Sequence, residues 1–154
     1  MTSHTVSMDY VNNLVYELEK AFWDERGRGA RFRVTTVGRG YFRERCQPKI
    51  TSLEPEAMLD AIAGVLREDG VVTQVSHTSE DRLWRVRVEG CVHRPVEERM
   101  IAHGVEPFTC LPANLLVLAI EQKLDRPVEL AQIKVEEGAC HLLLVMFDQR
   151  PRLD

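Results

Sequence analysis

The sequence has no long hydrophobic run and no surplus of positive charge. Its longest apolar segments, such as Leu115 to Ile120, are far shorter than the roughly 20 residues that a membrane-spanning helix needs. The formal net charge of −4 argues against general affinity for nucleic acid. The opening segment MTSHTVSMDY is polar, so we expect no secretory signal and a cytoplasmic location.

Familiar catalytic motifs are also missing from the sequence. It contains no Ser–His–Asp, HExxH, P-loop or Rossmann spacing. Glu97 and Glu98 have no partner in the sequence that would indicate acid–base chemistry. We therefore expect a protein that is not an enzyme, and keep as an alternative a thiol enzyme or redox switch, with Cys110 as nucleophile and His93 or His103 as base.

The composition is that of an ordinary globular protein, with 154 residues, 44% of them hydrophobic and 29% charged. A chain of this length is most simply one domain, able to bury a core without disulfides. We divide it into an N-terminal helix and hairpin over residues 1–50 and a core over residues 52–148. Four cysteines in a chain without a secretory signal are expected to be reduced thiols or metal ligands.

Hydrophobic periodicity predicts an α+β fold in which antiparallel hairpins pack against helices, in the order α-β-β-α-β-β-α-α-β-β. Ser7 precedes the first helix and Gly27 ends it. Further helices are expected after Ser52, from about Pro95 to His103, and from Leu111 to about Leu124. The predicted hairpins are ARFRVTTV with GYFRERC, VVTQVS with RLWRVRVEG, and VELAQIKVE with ACHLLLVMF, the last turning at Glu137 and Gly138.

The first predicted hairpin carries a run of basic residues interleaved with Phe32, Tyr41 and Phe42. A nucleic-acid interface has this composition, but so does the solvent-exposed face of an amphipathic hairpin. Because the whole chain is acidic, we favour a partner protein or an anionic ligand over nucleic acid for this segment.

The cysteines Cys91, Cys110 and Cys140 each lie where a predicted strand or helix begins or ends. His93 and His103 lie near the first two, and thiolate and imidazole are the ligands that hold zinc, iron or an iron–sulfur cluster. A thiol at a helix N-terminus, as predicted for Cys110, is expected to have a lowered pKa. Buried cysteines that serve only as small hydrophobic side chains are the alternative.

From Ser52 onward, over about two-thirds of the chain, the order of these features resembles a known family. The segments that carry the resemblance are LDAIAGVLREDG, RLWRVRVEGCVHRPV, CLPANLLVLAIEQKLDRPVEL and EEGACHLLLVMF. They are similar to the effector-sensing domains that follow winged-helix domains in iron–sulfur biogenesis repressors of the SufR type. The related 4-vinyl-reductase-type domains, which bind small molecules, share the pattern.

The resemblance implies a sensing or regulatory domain that holds zinc or an iron–sulfur cluster through Cys91, Cys110 and Cys140. Cluster-binding members have a fourth cysteine, whereas this sequence has none between Cys110 and Cys140, so His93, His103 or Cys46 is expected to complete the set. The N-terminal part lacks helix-turn-helix spacing, so the domain is expected to act without a DNA-binding region of its own.

Two further expectations follow from the resemblance. In the alternative function, an apolar small molecule is bound and the cysteines are structural; the pocket is then lined by Trp84, Leu115 and Leu118. The expected partners are a second copy of the chain, forming a homodimer, or a separate regulator protein.

Overall fold

The computed structural model describes residues 5–27, 38–105 and 110–148 of the chain. These residues form an α+β structure in which a four-stranded antiparallel sheet is covered on one face by helices. Within this part of the chain, no helix combines the length and the apolar character needed to cross a bilayer. The elements are α1 (Met8–Arg26), α2 (Arg39–Tyr41), α3 (Pro55–Glu68), β1 (Gln74–Glu80), β2 (Leu83–Glu89), α4 (Arg94–Ala102), α5 (Leu111–Leu124), β3 (Val128–Glu136) and β4 (Ala139–Met146).

The sheet has the strand order β1-β2-β4-β3, so the two predicted hairpins lie side by side and join through β2 and β4. Glu137 and Gly138 both have positive φ and make the two-residue turn between β3 and β4. Both hairpins are confirmed, and β2, β3 and β4 have bounds close to those expected from the sequence. β1 differs, because it covers Gln74–Glu80 and not the predicted residues 71–76.

The main core lies between the sheet and helices α3 and α5. The β2 side chains that face it are Trp84, Val86 and Val88, in agreement with their alternation in the sequence. Residues 112–120 of α5 are all buried and, except for Asn114, apolar, which is the pattern of a helix enclosed by its neighbours.

Helix α1 packs against α4 in a second, smaller cluster. Tyr16 of α1 lies against Val96 and Met100 of α4, and the Arg99 guanidinium lies 3.9 Å above the centre of the Tyr16 ring. The Ser7 hydroxyl accepts a hydrogen bond from the Asp9 amide, which confirms the predicted start of α1.

The hairpin predicted in the N-terminal part of the chain is wrong where the structure describes it. Residues 40–46, predicted as a strand, belong to a continuous helical segment in which α2 is followed by a π-helical turn (Phe42–Cys46) and a 3-10 turn (Gln47–Lys49). Phe42 and Cys46 are four residues apart and both are 0% exposed, so burial of one helical face against α3 overrides the period-two alternation. The partner strand predicted over residues 30–37 lies outside the described residues. The predicted element order is therefore wrong at its second strand.

Candidate functional site

The pairing of β2 with β4 brings two of the cysteines to one end of the sheet. Cys91 follows the end of β2, and Cys140 is the second residue of β4. In the antiparallel register Val88 lies opposite Cys140. Cys140 is 1% exposed and points into the core, because it shares the buried face of β4 with Leu142 and Leu144.

The backbone at Cys91 is set by the glycine before it. Gly90 has a φ of +66°, and a Cβ atom at this position would lie 1.9 Å from Oγ1 of Thr73. Only glycine therefore allows the chain to pass Thr73 and turn from β2 towards α4. The turn leaves the Cys91 thiol beside the backbone N–H groups of His93 and Arg94, where α4 begins.

The three thiols interact with one carboxyl group, that of Glu97 in α4. Its side chain is 4% exposed, and its Oε2 accepts a hydrogen bond of 2.9 Å from the Cys140 thiol. The thiol of Cys110, the residue that precedes α5, contacts the same carboxyl group. Cys91 interacts electrostatically with Glu97 and with the other two cysteines. Three thiols from distant parts of the sequence and one carboxyl group thus form a buried group, which we call the thiol cluster.

Burial dominates the electrostatics of the thiol cluster. It raises the pKa values of Cys91, Cys110 and Cys140, and the nearby Glu97 raises them further. Burial also raises the pKa of Glu97 itself. The lowered pKa expected for Cys110 from its helix N-terminus is therefore wrong, because complete burial and the neighbouring carboxyl group outweigh the backbone N–H of Ala113.

A second, half-buried carboxyl group lies on α1, that of Glu19. Burial, with a smaller contribution from Glu97, raises the pKa of Glu19 to about 7. Helix α4 thus lies between the thiol cluster and α1, and its Glu97 interacts with both.

His93 and His103 have hydrogen-bond partners of their own. Asn12 donates through Nδ2 to the carbonyl of Val92, which orients its Oδ1 as an acceptor 3.0 Å from His93 Nδ1. His103 Nδ1 lies 2.8 Å from the carbonyl oxygen of Arg99. In both rings Nδ1 therefore carries a proton. Burial lowers the pKa of His93.

Cys46 lies apart from the thiol cluster in its interactions. It is 0% exposed in the helical segment 39–49, and burial raises its pKa to about 11, with Arg45 and Asp69 as its charged neighbours. Because it is a buried thiol outside the thiol cluster, it provides a matched control for substitutions within it.

The residues expected to line an apolar pocket are all in the main core. Leu115 and Leu118 of α5 are at most 1% exposed, and Trp84 of β2 is 8% exposed. A groove of about 430 Å³ lies instead on the face of the sheet opposite α3 and α5, and its lining includes Arg85, Arg87, Lys134 and His141.

The side chains of the thiol cluster are not arranged as a preformed metal site. Within residues 5–27, 38–105 and 110–148, no group of three or more His, Cys, Asp and Glu side chains could hold a metal ion as it stands. The arrangement is one of hydrogen bonds, with the Cys140 thiol donating to the carboxyl group. The donor types, three sulfurs and a carboxyl oxygen, nevertheless fit zinc.

Glu97 is the residue of this site that the sequence did not reveal. In the sequence it is adjacent to Glu98, whose side chain is 51% exposed and pairs with Arg94. The only signal for its burial is its place beside Val96, which with Met100 marks the apolar face of α4. No known protein family matches this chain, and no curated protein matches its sequence significantly.

Proposed function

We propose that this chain is a metal-linked sensing domain in which Cys91, Cys110 and Cys140 supply sulfur ligands and Glu97 supplies the fourth. The observation that carries the proposal is the thiol cluster itself. Its three cysteines come from a loop, a helix start and a strand that are distant in sequence, and Glu97 lies in the helix that follows the Cys91 loop. Soft thiolate sulfurs with one oxygen ligand suit zinc, and three thiolates also suit an iron–sulfur cluster.

The hydrogen bond from Cys140 to Glu97 is the contact expected in such a site when the thiol is protonated. Burial keeps the thiols protonated, because a thiolate without a counter-charge is costly in the core. A bound cation would supply that counter-charge. Cys91, Cys110, Cys140 and Glu97 would hold the cation, and because these groups bind metal in their deprotonated forms, their protons would pass to the solvent.

Occupancy of the site would be transmitted through α4. Arg94, at the start of α4, donates a hydrogen bond to the carbonyl of Gly138 in the β3–β4 turn. Ligation by Glu97 and the cysteines would further join α4 to that hairpin and to the start of α5. Loss of the metal would loosen these connections and, through Tyr16, the position of α1.

The proposed setting is the cytoplasm, where thiols stay reduced, and the proposed partner is a second copy of the chain. Helix α1 supports this because three of its large side chains are spaced four residues apart and left exposed. They are Tyr10 (63% exposed), Leu14 (46%) and Leu18 (63%). We refer to them as the α1 stripe.

The experiment that tests the proposal is metal analysis of protein purified under reducing, oxygen-free conditions. The expected result is one zinc per chain, or iron with acid-labile sulfide and visible absorption. The variants Cys91→Ser, Cys110→Ser and Cys140→Ser should each lose the metal, and Cys46→Ser should retain it. Loss of metal in His93→Ala or His103→Ala, with full retention in Glu97→Gln, would instead make histidine the fourth ligand. A folded, reduced protein that binds neither metal would overturn the proposal.

A further inference from the structure

The groove of about 430 Å³ on the sheet, which we call the sheet groove, crosses all four strands. Strand pairing places its side chains in two adjacent rows. One row is Ser76, Arg87, His141 and Lys134, and the other is Thr78, Arg85, Leu143 and Gln132. Along β2 and β4 these residues alternate with buried side chains of the main core, so they face away from it. The volume lies within the range of about 300–1,000 Å³ that is usual for small-molecule sites.

The first row brings basic side chains together. Arg87 lies directly opposite His141, and His141 lies directly opposite Lys134. Positive charges at opposite positions of a sheet repel one another, so a site of this kind favours anions nearby. Two carboxylates of the chain meet part of this demand. Glu89 Oε1 lies 3.0 Å from the Arg87 guanidinium, and Glu136 Oε1 lies 2.7 Å from Lys134 Nζ.

The second row places a cation beside an apolar side chain. Arg85 is exposed, and Leu143, directly opposite it on β4, is half-buried. The Cβ atoms of such a cross-strand pair are about 5 Å apart, so one small molecule can contact both side chains. The planar guanidinium of Arg85 presents parallel N–H donors that match the two oxygens of a carboxylate.

The charge balance of the sheet groove indicates the class of anion. Three Arg and Lys side chains line it, and the ion pairs with Glu89 and Glu136 neutralise two of them, Arg87 and Lys134. The surplus is one full positive charge, that of Arg85, with His141 beside it, which suits a singly charged ligand better than a polyphosphate. Among the described residues, the lining includes no Phe, Tyr or Trp on which nucleic-acid bases could stack.

We infer that the sheet groove binds a small organic monocarboxylate. Arg85 donates hydrogen bonds to the carboxylate, and the apolar part of the ligand lies over Leu143. The sheet groove and the thiol cluster lie on opposite sides of the sheet and share no side chain, so this site does not depend on the proposed metal site.

The test is a titration of the full chain with hexanoate, followed by the backbone amide signals in two-dimensional NMR. Low ionic strength is used, because salt screens exposed charges. Hexanoate is expected to cause saturable shifts in β2 and β4 around Arg85 and Leu143. Acetate, which lacks the apolar chain, is expected to bind about 10-fold more weakly. The neutral analogue 1-hexanol is expected to cause no saturable shift there.

Variants separate the two contacts. Arg85→Gln should lower the affinity for hexanoate about 10-fold, and Arg85→Lys, which keeps the charge and loses the planar fork, should lower it less. Arg82→Gln is the matched control, because Arg82 is an exposed arginine that pairs with Asp148 and does not line the groove; it should leave the affinity unchanged. Leu143→Thr should remove the advantage of hexanoate over acetate and leave the affinity for acetate unchanged.

Three results would overturn the inference. The first is the absence of saturable shifts with hexanoate in β2 and β4. The second is an equal loss of affinity in Arg85→Gln and Arg82→Gln, which would indicate attraction to surface charge in general. The third is tighter binding of inorganic phosphate or of an oligothymidylate than of hexanoate, which would assign the groove to another class of anion. Hexanoate binding by a protein that binds no metal would leave this site standing while the proposed metal site fails.

Discussion

The thiol of Cys140 in β4 donates a hydrogen bond of 2.9 Å to the buried carboxyl group of Glu97 in α4. The two residues are 43 positions apart and meet because the β3–β4 turn lies against the start of α4. The contact lies in the core, where desolvation raises the pKa of the Glu97 carboxyl group.

The first prediction concerns the free-energy cost of burying the Glu97 carboxyl group. Its folded-state pKa is raised, so its destabilising effect is absent below its unfolded pKa and grows as the pH rises towards the folded value. Glu97→Leu should therefore stabilise the metal-free protein at neutral pH, by about 1–2 kcal/mol, and less at pH 4. Urea unfolding at both pH values measures this, with exposed Glu98→Leu as the control. A Glu97→Leu protein less stable than wild type at pH 7 would show that the hydrogen bonds outweigh the desolvation.

The second prediction concerns Gly90, which sets the backbone conformation before Cys91. Gly90→Ala combines a positive φ with a Cβ 1.9 Å from Oγ1 of Thr73, so it should destabilise the fold by about 2–4 kcal/mol. Gly64→Ala in α3 is the matched control, because a Cβ atom added there would have nothing within 4 Å of it. That control should be stabilised by about 0.5–1 kcal/mol. Thermal unfolding of both variants decides the matter, and equal stability of Gly90→Ala and wild type would contradict the structure at this turn.

The third prediction concerns acid stability at the end of α3. Hydrogen bonds from Arg45 and Tyr41 lower the pKa of Asp69 from 3.8 to about 2. A lowered folded pKa contributes stability that is present above pH 3.8 and lost as the pH falls towards 2. Asp69→Asn should therefore lower the melting temperature at neutral pH, and its difference from wild type should shrink over that range.

Glu68→Gln serves as the control for this acid titration. Glu68 lies 3.9 Å from Arg45 and its side chain is 64% exposed, so its removal should change stability less. A pH-independent difference between Asp69→Asn and wild type would assign the effect to lost packing of the helical segment 39–49.

The fourth prediction concerns the α1 stripe. Both Leu14 and Leu18 are largely exposed in the single chain, so we expect them to be buried in the proposed dimer. Replacing both by Asp should therefore convert the dimer into a monomer. Sedimentation velocity over a range of concentrations measures this. Leu53→Asp, a change at an apolar residue 64% exposed outside α1, should leave the dimer intact. If the wild-type protein stays monomeric at high concentration, the proposed homodimer is excluded.

Local sequence patterns predicted most of the fold because most elements here follow their own periodicity. Ser7 caps α1, Pro112 lies in the first turn of α5, and Glu137 with Gly138 forms the last turn. The helical segment 39–49 was missed, because burial of Phe42 and Cys46 on one face is a tertiary effect that alternating aromatic and basic residues conceal.

Of the residues in the candidate site, only the cysteines could be predicted from the sequence. Cysteines are rare enough to be noticed in a sequence, and strand order brings Cys91 and Cys140 to one sheet end. Glu97 is a common polar residue at a helical position, and only packing makes it buried. The pKa of Cys110 was misjudged for the same reason, since a helix N-terminus is visible in sequence whereas burial is not.

An anaerobic titration of the reduced, metal-free protein with Co²⁺, followed by absorption, tests the proposed metal site most directly. We expect saturation at one ion per chain, with a sulfur-to-cobalt charge-transfer band that disappears in Cys110→Ser and persists in Cys46→Ser. A folded protein whose free thiols are verified and whose spectrum shows no such band at any Co²⁺ concentration would contradict it.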